Sequence, residues 1–212
     1  MATKVSITEI LQDIRRKTNE PYRWDQVKWL LPLFYIHLAL TVAFVLSVMG
    51  IVTASVYVTA EWLLHAAAAA CLFCLTKAHS RFRPAAILLS VSLVISLLSA
   101  QVGAPPLLTT LSSLCVLISG IFEFSGHGKI AAQEDFQLAH RWNTLFLFSI
   151  AAMFAGAFAF FMTMMLSYLL QPDGMFLSLL TIVITYVPDL VVDILYLIYL
   201  HKTIRLVKQN HT

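Results

Sequence analysis

Charge is what this sequence has least of. Asp, Glu, Lys and Arg make up 12% of its 212 residues, against 59% hydrophobic residues, and mean hydropathy is +0.82. A water-soluble domain carries about a quarter charged residues. The shortage is also uneven, since 84–122 and 142–172 hold no charged side chain at all. Each of these stretches outlasts the ~20 residues that cross ~30 Å of hydrocarbon. Soluble enzymes, nucleic-acid binders and disulfide-stapled secreted domains are excluded on this ground. Cysteine is scarce as well, at 3 residues. Cys71, Cys74 and Cys115 all fall in apolar stretches, and the CxxC spacing of the first two reads as small packing residues rather than a dithiol. No low-complexity linker and no fixed-period repeat divides the chain. What remains is an all-α, polytopic membrane protein.

Six spans are expected. The first covers about 29–52 and the second about 57–76. The apolar run 84–122 is too long for one helix, and Gly103-Ala104-Pro105-Pro106 breaks it into 85–102 and 107–123, because paired prolines remove two amide donors that lipid cannot replace. The fifth span covers 143–169, ended by the turn sequence Gln171-Pro172-Asp173-Gly174, and the sixth covers 175–200. The basic residues bear on this count independently. All 14 Lys and Arg fall in 1–28, 77–84, 124–142 and 201–212, which six spans place on one side. The positive-inside tendency makes that side cytoplasmic, with both termini there. The expected organisation is a cytoplasmic N-terminal segment 1–28, a six-helix transmembrane domain 29–201 and a cytoplasmic tail 202–212. A plasma or inner membrane is the expected location, with an organelle membrane as the other possibility. No cleavable signal peptide is expected, since the first apolar run starts after a polar leader.

That leader reads as a short amphipathic interfacial helix. Ser6 and Glu9 have capping-box spacing, Ile7, Ile10, Leu11 and Ile14 share one face, and Arg15-Arg16-Lys17 close it. The link 124–142 also has helical character, anchored by Ile130, Phe136 and Leu138. Small residues at 66–70 and at Ala151, Ala152, Ala155, Gly156, Ala157 and Ala159 make faces that allow close helix approach, within the chain or between subunits of an oligomer.

Polar groups kept inside a membrane cost ~3 kcal/mol or more each and mark candidate sites. Here they are His37, Glu61, His65, Glu123, Asp189 and Asp193. Asp189 and Asp193 lie four apart on one face of the sixth span, with Asp189 near mid-membrane beside the helix-loosening Pro188. Two carboxylates in so dry a place would not both ionise easily. His37 and His65 reach the same depth on the first two spans, and no Lys or Arg does. A substrate- or ion-binding cluster of Asp189, Asp193, His37 and His65, with Glu61, is therefore expected. Glu61 and Glu123 sit nearer helix ends, in reach of water. Alternatively the polar groups are structural and bond to hydroxyls such as those of Thr41, Tyr196 and Tyr199. Two histidines also suit a haem, and the His/Asp set suits zinc, so the cofactor is left open.

Lys77, Arg83-Pro84 and Ser125-Gly126-His127 resemble the first two motifs of the phosphatidic-acid phosphatase superfamily, which implies a phosphate-handling site. The Lys-to-Arg spacing is one residue short, Phe124 stands where that family has proline, and its third motif, with the nucleophilic histidine, has no counterpart. What survives is a group suited to an anionic lipid headgroup, namely Lys77, Arg81, Arg83 and His127. Rhomboid, zinc-protease and prenyl-protease signatures are absent, and the reading leans against an enzyme. In architecture the chain is similar to the substrate-binding subunit of energy-coupling-factor vitamin transporters, although the alanine signature of their first span is missing. The expected function is a small transporter or substrate-binding membrane subunit. The alternatives are an accessory or assembly protein with structural polar groups, or a membrane-embedded enzyme acting on a lipid or redox partner.

Overall fold

A computed structural model of the protein describes residues 24–103, 105–170 and 174–209, without the side chains of 160, 164, 166–170, 174–183 and 185. Most of the amphipathic leader, Ala104 of the proline break, Gln171-Pro172-Asp173 of the expected turn and the last three residues of the tail lie outside the described residues. The described chain is all-α. A single turn, α1 (Trp24–Val27), leads into six long helices: α2 (Leu30–Val48), α3 (Ala54–Leu75), α4 (Phe82–Gln101), α5 (Pro106–Glu134), α6 (Phe136–Leu170) and α7 (Gly174–Gln209). Among the described residues five helical stretches are long and apolar enough to cross a membrane: Trp24–Val48, Ala54–Leu75, Phe82–Gln101, Pro106–Glu134 and Phe136–Thr163. The protein is thus a multi-pass membrane protein. The stretch expected as a sixth span lies within α7, a helix of 36 residues that runs through Pro188.

Local chemistry ends each helix where the sequence demands it. Gly50 takes φ +72°. Its amide and that of Ile51 bond back to the carbonyls of Ser47 and Leu46, at 3.0 and 2.9 Å, closing α2 with a left-handed cap. Gly103, at φ +83°, does the same service after α4. Pro106 opens α5 at a position where its missing amide costs nothing. The link 124–142 carries the helical character read in its sequence through nearly its whole length, and only Asp135, in an extended conformation, separates α5 from α6. The Asp135 carboxylate accepts from the amides of Gln137 and Leu138 at 2.7 and 3.2 Å, so a side-chain cap replaces a loop. Of the three anchors expected there, Ile130 and Leu138 are buried while Phe136 is 81% exposed.

Consecutive helices pack side by side, α2 also meets α7, and α5 reaches α7 across the middle, so the bundle closes on itself. Its outward faces carry large apolar side chains such as Leu63, Val94, Phe154 and Ile194, as lipid contact requires. Lipid removes the hydrophobic drive for helices to associate, so close approach and polar bonds must hold them. The α4–α5 pair does this with hydroxyls. Ser112 Oγ lies 2.8 Å from both Ser92 Oγ and Ser96 Oγ, and Ser119 Oγ donates to the Ala85 carbonyl at 2.8 Å. Of the small-residue faces, Ala68, Ala69, Ala152, Gly156 and Ala159 are buried within the chain, whereas Ala66, Ala70, Ala151, Ala155 and Ala157 stay exposed.

The two ends of the bundle are built differently. Toward the end that carries the basic residues it is solid: Leu30, Leu33, Leu72, Leu75, Phe82, Ile130, Trp142 and Leu200 are fully buried. The other half is hollow, as described below. Gly126 shows how tight the solid half is, since a Cβ there would lie 2.7 Å from the Phe82 ring. Phe82 is itself fully buried, with the His127 ring against its edge, so it has little room to yield. Gly126→Ala is expected to lower stability by about 1–3 kcal/mol through overpacking. Gly120→Ala, which meets open space, is expected not to lower it. Thermal unfolding of both variants in detergent is the check, and equal melting temperatures would contradict the close packing.

Candidate functional site

The hollow half contains a cavity of about 330 Å³ that runs among α2, α3, α4, α5, α6 and α7. Two adjoining lobes share part of its wall. One, of about 430 Å³, includes Tyr57 and Glu61 of α3 together with Thr41 of α2. The other, of about 410 Å³, is faced by Glu61 and the hydroxyls of Ser92, Ser96 and Ser112. Each helix contributes by the same rule. On α3, Glu61 and His65 face the space, and one turn further on Ala69 and Leu72 are core. On α7, Asp189 and Asp193 face it, and Leu200 and Thr203 are core. On α6, Met153 and Ser149 face it, and Leu145 and Trp142 are core. The cavity therefore stops at one level, and the bundle is filled from there to its basic end.

His37, His65, Asp189 and Asp193 all line the main cavity, and Glu61 lines both lobes. The structure thus gathers five expected residues from two consecutive helices, α2 and α3, and from the distant α7. The pairing inside the group differs from the expectation. His37 lies not against an aspartate but with its Nε2 3.3 Å from Glu123 Oε1, at an angle poor for a hydrogen bond. Neither hydrogen bond nor ion pair engages Glu61, Asp189 or Asp193 among the described residues. Thr41, a candidate hydroxyl partner, donates to the His37 carbonyl at 2.9 Å instead.

Glu123 is the residue that sequence reading undervalued. It was placed near a helix end in reach of water, but α5 continues to Glu134 and carries it into the interior, where its side chain is 10% exposed. It forms the floor of the cavity. The Tyr196 hydroxyl donates to Glu123 Oε1 at 2.5 Å, and His127 Nε2 lies 3.1 Å from that hydroxyl oxygen and 3.5 Å from the same carboxylate oxygen. Because the hydroxyl spends its proton on Glu123, its oxygen must accept, which assigns the His127 proton to Nε2. His127 Nδ1 is buried without a partner. A bare acceptor there costs less than an unsatisfied charged N–H, so the geometry favours the neutral ring.

Beneath the floor is a sealed aromatic layer. The Trp142 ring stacks on His127 at 4.9 Å and 25°, and meets Tyr196 edge-on at 5.4 Å. Its Nε1 donates to Thr203 Oγ1 at 3.2 Å, joining α6 to α7. The His37 ring lies 4.4 Å from that of Tyr196 and brings in α2. One sequence signal could have found this layer: Glu123 and His127 are four apart on one helical face, a pairing hidden by ending the fourth span at 123.

The residues grouped for a lipid headgroup divide. Lys77, Arg81 and Arg83 are exposed at the basic end, and Arg81 donates to Ser125 there. His127 is fully buried and faces Tyr196 and Trp142, so the structure does not bring it to a surface with the other three. The nearby His79, in the α3–α4 link, is held below the usual histidine range by burial and by the charges of Arg81 and Lys129. Its Nδ1 accepts from the Arg81 amide at 3.1 Å, a bond that needs the neutral ring. Cys71, Cys74 and Cys115 are free thiols. Among the described residues no three His, Cys, Asp or Glu side chains converge closely enough to hold a metal ion.

Tyr196→Phe would leave both a buried carboxylate and a buried imidazole short of a partner. It is expected to cost about 1–3 kcal/mol. Tyr199→Phe, whose hydroxyl makes no hydrogen bond among the described residues, is expected to cost under about 0.5 kcal/mol. Unfolding of the two variants side by side is the measurement, and equal losses would remove the special role given to the Tyr196 hydroxyl. Searched against protein-family models, curated proteins and solved structures, the chain matches none.

Proposed function

We propose that this membrane protein is a small transporter or the substrate-binding membrane subunit of one, and that the cavity of the hollow half is its substrate site. The observation that carries this reading is the cavity itself. Polar side chains from α2, α3, α5 and α7 that would be costly in lipid converge on one space, and that space lies at the small end of the range of ligand pockets. In the proposed topology α7 supplies the sixth span and both termini are cytoplasmic, with 1–28 and 202–212 flanking the helical domain. This follows the concentration of basic residues at the solid end. The solid end then faces the cytoplasm and the cavity lies beyond it, an arrangement suited to loading from the opposite side of a plasma membrane. Lys77, Arg81 and Arg83 would meet anionic headgroups at the cytoplasmic surface. The exposed alanines of α3 and α6 would serve contact with another subunit.

An accessory or assembly role is the second reading. It is favoured by the buried polar contacts of Glu123, Tyr196 and His127 being used to join helices.

Solid-supported-membrane electrophysiology on proteoliposomes separates the two. Panels of amines, amino acids, sugars and carboxylates are applied to the wild type and to the Asp189→Asn/Asp193→Asn double variant. At least one panel is expected to give a transient current or uptake signal in the wild type. That signal should fall at least about tenfold in a double variant that still folds, as loss of a binding charge usually costs. Silence in every panel, or an unaltered signal in the variant, would sink the transport reading.

A further inference from the structure

Resting on the reading of the cavity as a substrate site, we infer that its ligand is a small organic cation: an ammonium head on a compact apolar body, with the charge among Asp189, Asp193 and Glu123 and the body against Phe146, Ile150 and Met153.

The charge balance of the wall is the first ground. The cavity and its lobes present four carboxylates, Glu61, Glu123, Asp189 and Asp193, against two imidazoles, His37 and His65, and no Lys or Arg. Even with both imidazoles protonated, the carboxylates outnumber them. A carboxylate or phosphate ligand would therefore enter a space without the guanidinium or ammonium groups that such anions require. Among the described residues no Lys or Arg lines the cavity or either lobe, and those of the α3–α4 link, Lys77, Arg81 and Arg83, are exposed at the solid end.

The second ground is that Glu61, Asp189 and Asp193 are left without hydrogen bond or ion pair among the described residues. A neutral ligand would leave them so, and unpaired carboxylates in a low-dielectric space are costly. A cationic head supplies the missing partner for Asp189 and Asp193, which sit on one face of α7. Glu123 is already oriented by Tyr196 and His127, so its remaining lone pairs can face the cavity at no cost in reorganisation.

Size and wall texture select the class of cation. A cavity of about 330 Å³ far exceeds the ~30 Å³ share of one water, and a bare inorganic ion would rattle in it. No three described His, Cys, Asp or Glu side chains converge on a single point as an ion would need. The wall away from the carboxylates is apolar, with Val116, Leu117, Phe146, Ile150 and Met153, and offers a body-sized surface rather than a hydration shell.

The test uses the full chain in lipid nanodiscs. Calorimetric titration and thermal unfolding are run with butylammonium, cyclohexylammonium and phenethylammonium, with the matched neutral probe 2-phenylethanol, with the matched anion phenylacetate, and with sodium or potassium chloride alone. At least one organic ammonium ion is expected to bind at least about tenfold more tightly than 2-phenylethanol and to raise the melting temperature. Asp189→Asn/Asp193→Asn should weaken that binding at least about tenfold while the unliganded melting temperature holds. Lys202→Gln/Arg205→Gln, exposed near the end of α7, should leave it unchanged. Binding of phenylacetate or of 2-phenylethanol as tight as that of the ammonium ions, competed by substitutions in the cavity wall, overturns the cation class but leaves the cavity a substrate site. A response to the inorganic salts alone also overturns the organic class. Failure of every probe overturns both the class and the substrate-site reading.

Discussion

Most of this structure depends on how its helices are held together where water cannot drive them together. In lipid, leucine gains nothing by leaving its neighbours for another helix, so association rests on close contact and on polar bonds. The layer of Trp142, His127, Tyr196 and Glu123 supplies both. It fastens α5, α6 and α7 through stacked rings and buried hydrogen bonds, and His37 adds α2 through the Tyr196 ring and the Glu123 carboxylate. Small residues make the approach possible, since Gly126 admits the Phe82 ring against the α5 backbone. With the bundle clamped at this level, the same helices can stand apart further along without falling open.

That clamp explains why a cavity and a core coexist in one short bundle. Below Glu123 the side chains are large and interlocked. Above it serines, histidines and carboxylates turn inward beside apolar side chains such as Val116, Phe146 and Met153, and the polar groups do not fill space as leucine does or pack dry. The serine pairs of α4 and α5 keep one wall together by bonding to each other. The carboxylates of α3 and α7 have no such partner and face the space. The cavity is thus made by what the packing leaves over: a partly polar volume bounded on one side by a packed floor, with its acidic groups facing inward.

Much of the fold was legible in the sequence because membrane insertion is governed by composition. Uncharged stretches longer than a bilayer, a Pro-Pro break and the end signals Gly50 and Gly103 were sufficient to separate the helices, and each works through local physics. By sequence, 124–142 has helical character but stands as a link between spans, which leaves Glu123 at a helix end. A lone side-chain cap at Asp135 let both helices run nearly to meet, and that moved Glu123 and His127 from a helix end to the interior. The depth arithmetic put His37, His65, Asp189 and Asp193 at one level, and all four line one cavity. It could not say which groups touch. A helix's rotation about its axis is set by the neighbours it packs against, so His37 turned to Glu123 rather than to Asp193.

The sequence by itself determined that this chain lives in a membrane, how its helices are divided and which few polar groups were carried into the apolar part, because each of these follows from the cost of placing charge or unpaired backbone in hydrocarbon. Only the tertiary structure decided that one half of the bundle is solid and the other hollow. It also decided that Glu123 is the floor of the cavity, and that His127 belongs to the core rather than to a lipid-facing surface. Those outcomes depend on side chains from distant helices competing for the same volume, a contest no single stretch of sequence contains.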